Sequence, residues 1–413
     1  MNSRLATPRL LIAVPATALV LAIGLFFLSG WLLERNVVRA ERTDEVREEP
    51  GVFMAFKDRR IDRLAVRAAR DGLLYAMEDH FLYVSDDQGE TFHRRGVLPK
   101  IDPALSDRLR NVVARHPLVR RGRSNMGPSN IAVLSTGTVL IFYDHVYRSV
   151  DGGYSFEAVG QAELAGAAGA FSHGIAVDNR DRIYFGEYLA GPRPQTIRVF
   201  VGRNDGRDWA TCHTFEKGQV FHVHSVSYDH YAERLVIATG DRNEEAGLFV
   251  LDADCKGVEQ IGGGDQRWRI IAPVFTVGEV VWGSDDDRGG AEILSKVRGG
   301  QSVKSHAFIG KPAYYGARLG DGTLVQSTAF EPDSEFTRRA APEPTATVWI
   351  SREGRDWWVL DEFPWLEKEY AWGRSRAQAA VTAGCGPDGY LFVTPISTQQ
   401  GFVTYRYRIE WSD

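Results

Sequence analysis

The sequence predicts an all-β fold: a seven-bladed β-propeller carried behind one N-terminal transmembrane helix. Three observations lead there. A tight turn followed by an apolar, strand-like run recurs seven times, a second turn signature sits at a different place in the same repeat, and an uncharged apolar run opens the chain.

The recurring unit spans Asp71 to Met77, Thr136 to Tyr143, Arg180 to Tyr188, Ala232 to Asp241, Val277 to Asp285, Asp321 to Thr328 and Asp388 to Pro395. In each copy a glycine or a charged pair makes the turn, and β-branched and aromatic residues suit the strand that follows. Most copies stand about 45 to 65 residues apart, room for four short antiparallel strands, which is the period of a propeller blade. The early segment Val52 to Phe56 is expected to pair with the last unit, whose strands run through about Gln378 to Ile409, and so to close the ring. Two stretches interrupt the rhythm. Asp102 to Arg123 is Arg-rich, carries Leu105, Leu109, Val112 and Val113 at helical spacing, and reads as a surface insertion near membrane headgroups. Phe330 to Ala346, rich in proline and charge, reads as a loop.

The second signature is Ser-x-Asp-x-Gly-x-Thr/Ser-aromatic, seen from Ser85 to Phe92 and from Ser149 to Phe156. Degenerate copies run from Gly202 to Trp209 and from Ile350 to Trp357, keeping the glycine and the aromatic. The expected role is a turn between the third and fourth strands of a blade. Asp87 and Asp151 accept backbone N–H groups, the glycine takes a positive φ, and the aromatic plugs the core. This pattern resembles the Asp-box of the BNR-repeat, sialidase-like β-propellers, over nearly the whole chain beyond the apolar run. The resemblance implies an extracytoplasmic propeller whose Asp-box glycines, Gly89 and Gly153, lie on the rim opposite the ligand pole. It does not imply sialidase activity, because true sialidases carry a Phe-Arg-Ile-Pro motif and an arginine triad on a six-bladed ring, whereas this chain lacks the motif and counts to seven. Seven blades with His, Tyr and Arg at one pole are also similar to propeller polysaccharide lyases of the oligogalacturonate and ulvan type. Photosystem-assembly propellers with the same boxes show that such a ring also serves as a non-enzymatic scaffold.

Leu10 to Leu33 carries no charge and is long enough to span a bilayer as a helix. No small-x-small site follows it, which favours an uncleaved signal anchor over a cleaved signal peptide, a rival that stays open. The expected organisation is a short cytoplasmic tail (1–9), a transmembrane signal anchor (10–33), a charged, solvated stalk (34–50) and the propeller (51–413) on the extracytoplasmic side of the cell membrane. The chain has 413 residues, 44% apolar and 25% charged, with a net charge of −5 spread along its length. No Lys/Arg block alternates with aromatics, so nucleic acid is not an expected partner. Of the three cysteines, none has metal-ligand spacing; Cys212 and Cys255 fall near the outer strands of neighbouring repeats, where either one disulfide or free buried thiols fit.

In a propeller the starts of first strands and the ends of second strands ring one opening. In this sequence those places hold His173, then His222 and His224, then Trp268 and Arg269, then Tyr315, then Arg374, together with Glu187, Tyr188, Asp241 and Asp285. The segment Phe221 to Tyr228 is the sharpest of them, because residues i and i+2 of a strand share a face, so His222 and His224 point together. They are candidates for acid/base work with Tyr188, Glu187 and Asp241, or for a three-His site for a divalent metal with His173. Core roles for the same residues remain the alternative. Trp268 is a candidate platform for a sugar ring, and Arg269 and Arg374 for a uronate or sulfate, with His173, Asp285 and Tyr315 as further substrate contacts. These readings point to a membrane-anchored propeller that binds or degrades an acidic glycan, as a lyase or glycoside hydrolase if it is catalytic. The alternative from another class is a scaffold that binds a protein partner.

Overall fold

Each of the seven apolar runs becomes the second strand of a four-stranded antiparallel sheet, and together the sheets form a seven-bladed β-propeller. The computed structural model describes residues 36–99 and 126–412 apart from 128–129, 144, 160–173, 189–194, 371–372 and 388, with isolated positions within 21–29 and at 113 and 116. The second strands are buried almost end to end, as in Leu324–Thr328 and Val139–Phe142. They lie between two neighbouring blades, so both faces are covered and the two-residue alternation of a half-exposed strand disappears.

The innermost strands of blades 1 to 7 are Ala65–Arg70, Asn130–Val133, Ala176–Val177, His222–Asp229, Val274–Phe275, Ala313–Arg318 and Gln378–Ala383. Among the described residues the core is not one mass but a set of apolar clusters, one at each seam between consecutive blades, with a small eighth of Ile271, Tyr314 and Ala329 at the seam of blades 5 and 6. The last of these seams joins Phe392 of blade 7 to Leu74, Tyr83 and Phe92 of blade 1, which closes the circle. Closure comes from the chain's early residues. Phe53–Asp62 pairs with Val403–Trp411 as the fourth strand of blade 7, as the sequence led us to expect for Val52 to Phe56.

The segment 34–50, expected to be a solvated stalk, is instead largely part of the ring. Val37–Arg39 adds a fifth strand to blade 1 and Glu41–Glu49 a fifth strand to blade 7, bridging the closing seam. The second of these, an edge strand, is solvated on both faces, so its charge hid the strand from a hydrophobic pattern. The stretch expected to be a loop contains a helix, Glu335–Ala340, capped by Ser334, whose Oγ accepts from the Thr337 amide at 3.0 Å.

The two Ser-x-Asp-x-Gly turns join third to fourth strands. Ser85 Oγ donates to Asp87 Oδ1 (2.7 Å) and accepts from the Gly89 amide (2.9 Å), and Asp87 accepts from the Thr91 amide. Ser149, Asp151 and Gly153 repeat this, and Asp151 also accepts from the Ser155 amide and hydroxyl. In the degenerate copies the indole N–H of Trp209 and of Trp357 donates to the carbonyl of the turn glycine, Gly206 or Gly354. Gly89 and Gly153 have φ of 86° and 97°, and each turn presses on the preceding blade, Gly89 against Phe392 and Gly153 against Leu82. A disulfide joins Cys212, on the outermost strand of blade 3, to Cys255, beyond the third strand of blade 4, with Cys385 left as a free thiol.

The chain divides into two compact units, the propeller (37–100 and 125–413) and a second formed by 1–36 with 101–124. Most of the second unit, including nearly all of Leu10 to Leu33 and of Asp102 to Arg123, lies outside the described residues. Within it the His116 ring stacks on Phe26 at 3.9 Å and its Nε2 meets the Phe26 carbonyl at 2.9 Å. Among the described residues no helix is long and apolar enough to cross a membrane.

Candidate functional site

Blade 4 brings the site together. His222 opens its innermost strand, and Asp241 follows Gly240, the last residue of the second strand, which pairs with His222. The pairing skips one residue, from Val223 to Ser225, so His224 is the extra residue of a bulge. Bulges re-aim a side chain and sit often beside functional sites. The His222 and His224 rings stand 4.9 Å apart and both Nε2 atoms approach Asp241 Oδ1, at 3.4 and 3.3 Å. Val223 between them turns away into the seam, against Gly186 of blade 3. A Cβ at Gly240 would lie 2.4 Å from the His224 ring, so only glycine leaves the imidazole its place.

The protonation states follow from the partners. His224 Nδ1 lies 3.1 Å from the Ile270 carbonyl, which only accepts, so Nδ1 carries the proton. Burial lowers the His224 pKa, and the ring is neutral near pH 7. Its Nε2 stands 3.3 Å from the Asp241 carboxylate. Burial alone would raise Asp241, yet His222, His224 and Arg269 outweigh it and hold that carboxyl far below the usual range. Both nitrogens of His222 are buried without a hydrogen-bond partner. Lone pairs and a carboxylate facing one another are repulsive unless a proton or a metal cation lies among them.

The three donor atoms lie within 4.8 Å of one another. Two imidazoles and one carboxylate suit zinc, manganese or iron(II), and three protein ligands leave open positions, as catalytic metal sites do. The Ile270 carbonyl on the far side of His224 is the second partner that fixes the tautomer in such sites. The donor set therefore fits a divalent cation.

Tyr188 covers this trio, its ring stacked on His222 at 3.9 Å. Burial first, then Asp241 and Asp285, push its phenol up, so it keeps its proton at neutral pH. Arg269 stands on the other side, 3.5 Å from Asp241, 2.9 Å from Asp285 and 2.7 Å from Asp287. Asp285 is fully buried, and burial drives its carboxyl well above the usual range despite Arg269. Farther round, the Tyr314 hydroxyl donates to Glu331, and Arg376 Nη1 reaches both, at 3.1 Å and 2.8 Å. A cavity of about 510 Å³ opens there, lined by Asp287, Glu331, Asp333, Tyr370, Arg374 and Arg376. A cavity of about 580 Å³ between blades 4 and 5 contains none of these groups and is bounded instead by the Arg298–Asp229 ion pair.

His222, His224, Asp241, Tyr188, Arg269 and Asp285 thus converge. Glu187 does not join them, because its carboxylate takes the Arg198 amide and guanidinium on the adjacent strand. Trp268 is no sugar platform; it is buried, stacks on Trp282 at 5.4 Å and packs over Gly262. Tyr315 ties blade 6 to blade 7 by donating to Gln378, and Arg374 is held by Asp333 and Glu367. Arg269, expected to be open to a uronate, is already surrounded by three aspartates. His173 lies outside the described residues, so the structure speaks to two of the three expected His ligands and supplies Asp241 as the third donor. Asp287 and Glu331 were missed, since both sit in loops past strand ends where one more acid carries no signal.

No protein-family model matches the chain, and no curated protein matches it in sequence. Among solved structures it is similar to an oligogalacturonate lyase in complex with manganese, at 9% identity and a TM-score of 0.53, covering 91% of this chain and 97% of that one. It is also similar to a mitotic checkpoint complex chain (10% identity, TM-score 0.49, covering 89% and 96%) and to a prolyl endopeptidase (10%, 0.48, covering 85% and 50%). At these identities the likeness is one of fold.

Proposed function

We propose that this chain is an extracytoplasmic, membrane-anchored propeller whose channel mouth uses a divalent cation to bind, and as a lyase to cleave, an acidic glycan. The observation that carries the reading is the His222–His224–Asp241 trio, with its fixed His224 tautomer, the buried His222 nitrogens that make no hydrogen bond, and three donor atoms within 4.8 Å of one another. A divalent cation held by these three would supply Lewis acidity toward a sugar carboxylate. Arg269 itself does not meet an acidic substrate, because it is committed to Asp241, Asp285 and Asp287.

The chain's own groups have separable roles. The Ile270 carbonyl orients His224, and Gly240 leaves room for it. Tyr188, half-exposed above the trio and protonated, is placed to give a proton to a leaving oxygen. The disulfide between blades 3 and 4 staples the seam beside the site and suits an oxidising compartment.

The test is a screen of full-length protein, with and without Mn²⁺, against polygalacturonate, alginate and glucuronate-containing polysaccharides. Unsaturated products are read by ultraviolet absorbance, and binding by calorimetry. Cation-dependent binding or cleavage of one acidic polymer, lost in His224→Ala, is expected. Equal binding of a neutral polymer, or activity untouched by a chelator, overturns the reading.

A further inference from the structure

The bulge that places His224 recurs. In blade 6 the pairing skips Tyr314, from Ala313 to Tyr315, and in blade 1 it skips Arg67, from Val66 to Ala68. All three fall on the second or third residue of an innermost strand, so Arg67 occupies in blade 1 the place His224 occupies in blade 4. His224 and Tyr314 both carry site chemistry. What Arg67 does is a separate question, because blades 1 and 4 stand on opposite walls of the channel.

Arg67 differs from the arginines around it. Arg63 pairs with Glu78 at 2.9 Å, Arg269 with three aspartates, and Arg376 with Glu331. Among the described residues no carboxylate lies within ion-pair distance of Arg67, and its Nε is buried with no hydrogen-bond partner. Its titratable neighbour is the Tyr315 phenol of blade 6, whose proton goes to Gln378 Oε1 of blade 7. Burial works against the guanidinium charge and no carboxylate offsets it. Arg67 is half-buried, with its Nε shut off from water and no counter-ion beside it, and a guanidinium does not shed its proton to relieve that. An anion joining its outer N–H groups would complete it.

We propose that Arg67 is an anion-binding residue of the central channel, and that its ligand is a carboxylate or another oxyanion entering from the mouth. The inference is independent of the cation at His222, His224 and Asp241. A guanidinium offers two parallel N–H groups to a planar carboxylate, which gives the position its selectivity over neutral sugars.

The experiment uses full-length protein with a chelator present, so that the cation trio is silent. D-galacturonate, inorganic sulfate and, as neutral control, glucose are titrated by calorimetry and by thermal melts, on wild type, Arg67→Gln and Arg67→Lys. Wild type should bind and be stabilised by galacturonate, or by both anions, but not by glucose. Response to galacturonate alone marks a carboxylate sugar as the ligand; response to both marks a general oxyanion site. Arg67→Gln should lose at least ten-fold in affinity, Arg67→Lys should lose less, and Mn²⁺ affinity without chelator should not change. In anion-free buffer Arg67→Gln should melt no lower than wild type, since it removes an uncompensated charge. No anion response in wild type, an equal response in Arg67→Gln, or a lower melting temperature of Arg67→Gln in anion-free buffer overturns the proposal.

Discussion

The Asp151 turn and the Asp241 mouth are both built around one carboxylate held far below its ordinary pKa, yet they are opposite kinds of structure. Asp151 sits on the outer turn of blade 2 and accepts from the Tyr154 and Ser155 amides and from two hydroxyls. Every lone pair that matters has a protein donor, and the turn is finished when the chain folds. Asp241 faces two imidazoles whose Nε2 atoms stand 3.4 and 3.3 Å from its Oδ1, and both nitrogens of His222 are buried with no hydrogen bond made. Buried polar groups are nearly always satisfied, so an unsatisfied cluster calls for a ligand whereas a satisfied one explains itself.

The largest expected effect separates the two regions outright. Asp241→Asn should lower Mn²⁺ affinity by more than about 100-fold, since a direct ligand matters more than the outer-shell partners whose loss costs 10–100-fold. Its melting temperature without metal should stay within a degree or two of wild type. Asp151→Ala should do the reverse. It should cost about 1 kcal/mol of stability, as the loss of a side-chain cap does, and leave calorimetric Mn²⁺ binding unchanged.

Gly240→Ala sharpens the picture from the backbone side. The new Cβ would meet the His224 ring at 2.4 Å, so the ring must move off the Ile270 carbonyl. Mn²⁺ affinity should fall about 10-fold, the lower end for a disturbed outer shell. An unchanged affinity would mean that the His224 orientation is not what holds the cation.

The smallest effect is in pH. Burial lowers the His224 pKa in the fold, aided by the charges of His222 and Arg269 and opposed by Asp241. The unfolded chain then binds the extra proton first as pH falls below its ordinary value of about 6.5. Metal-free stability should therefore drop below pH 6.5, by at most about 1.4 kcal/mol per unit for this one ring. Asp151 has the same sign of dependence but a lower window. Its stabilisation is complete above the ordinary carboxylate value and is lost only as pH falls below about 3.8. Melts of wild type, His224→Ala and Asp151→Ala between pH 7 and pH 3 distinguish the two windows.

Much of this contrast was legible in the sequence for a local reason. The turns are written in consecutive residues, and the seven second strands announce themselves as apolar runs, so blade number and closure followed. His222, His224 and Asp241 were legible because a strand start and the end of the strand beside it meet by topology. What could not be read is pairing across the chain. Glu187 resembled a free acid, although Arg198 stands opposite it on the next strand, and Arg269 resembled a free cation because Asp287 lies in a loop four residues past the strand end at Gly283. The bulges at Arg67, His224 and Tyr314 leave no mark in composition, yet they decide which side chains the channel receives.

The central claim is that the His222–His224–Asp241 trio holds a divalent cation. The direct measurement is calorimetric titration of Mn²⁺ into chelator-stripped full-length protein, alongside His222→Ala. One site per chain in the wild type, lost in the variant while the fold's circular dichroism is kept, is the predicted result. No binding to wild type, or the same binding to both proteins, would contradict the account.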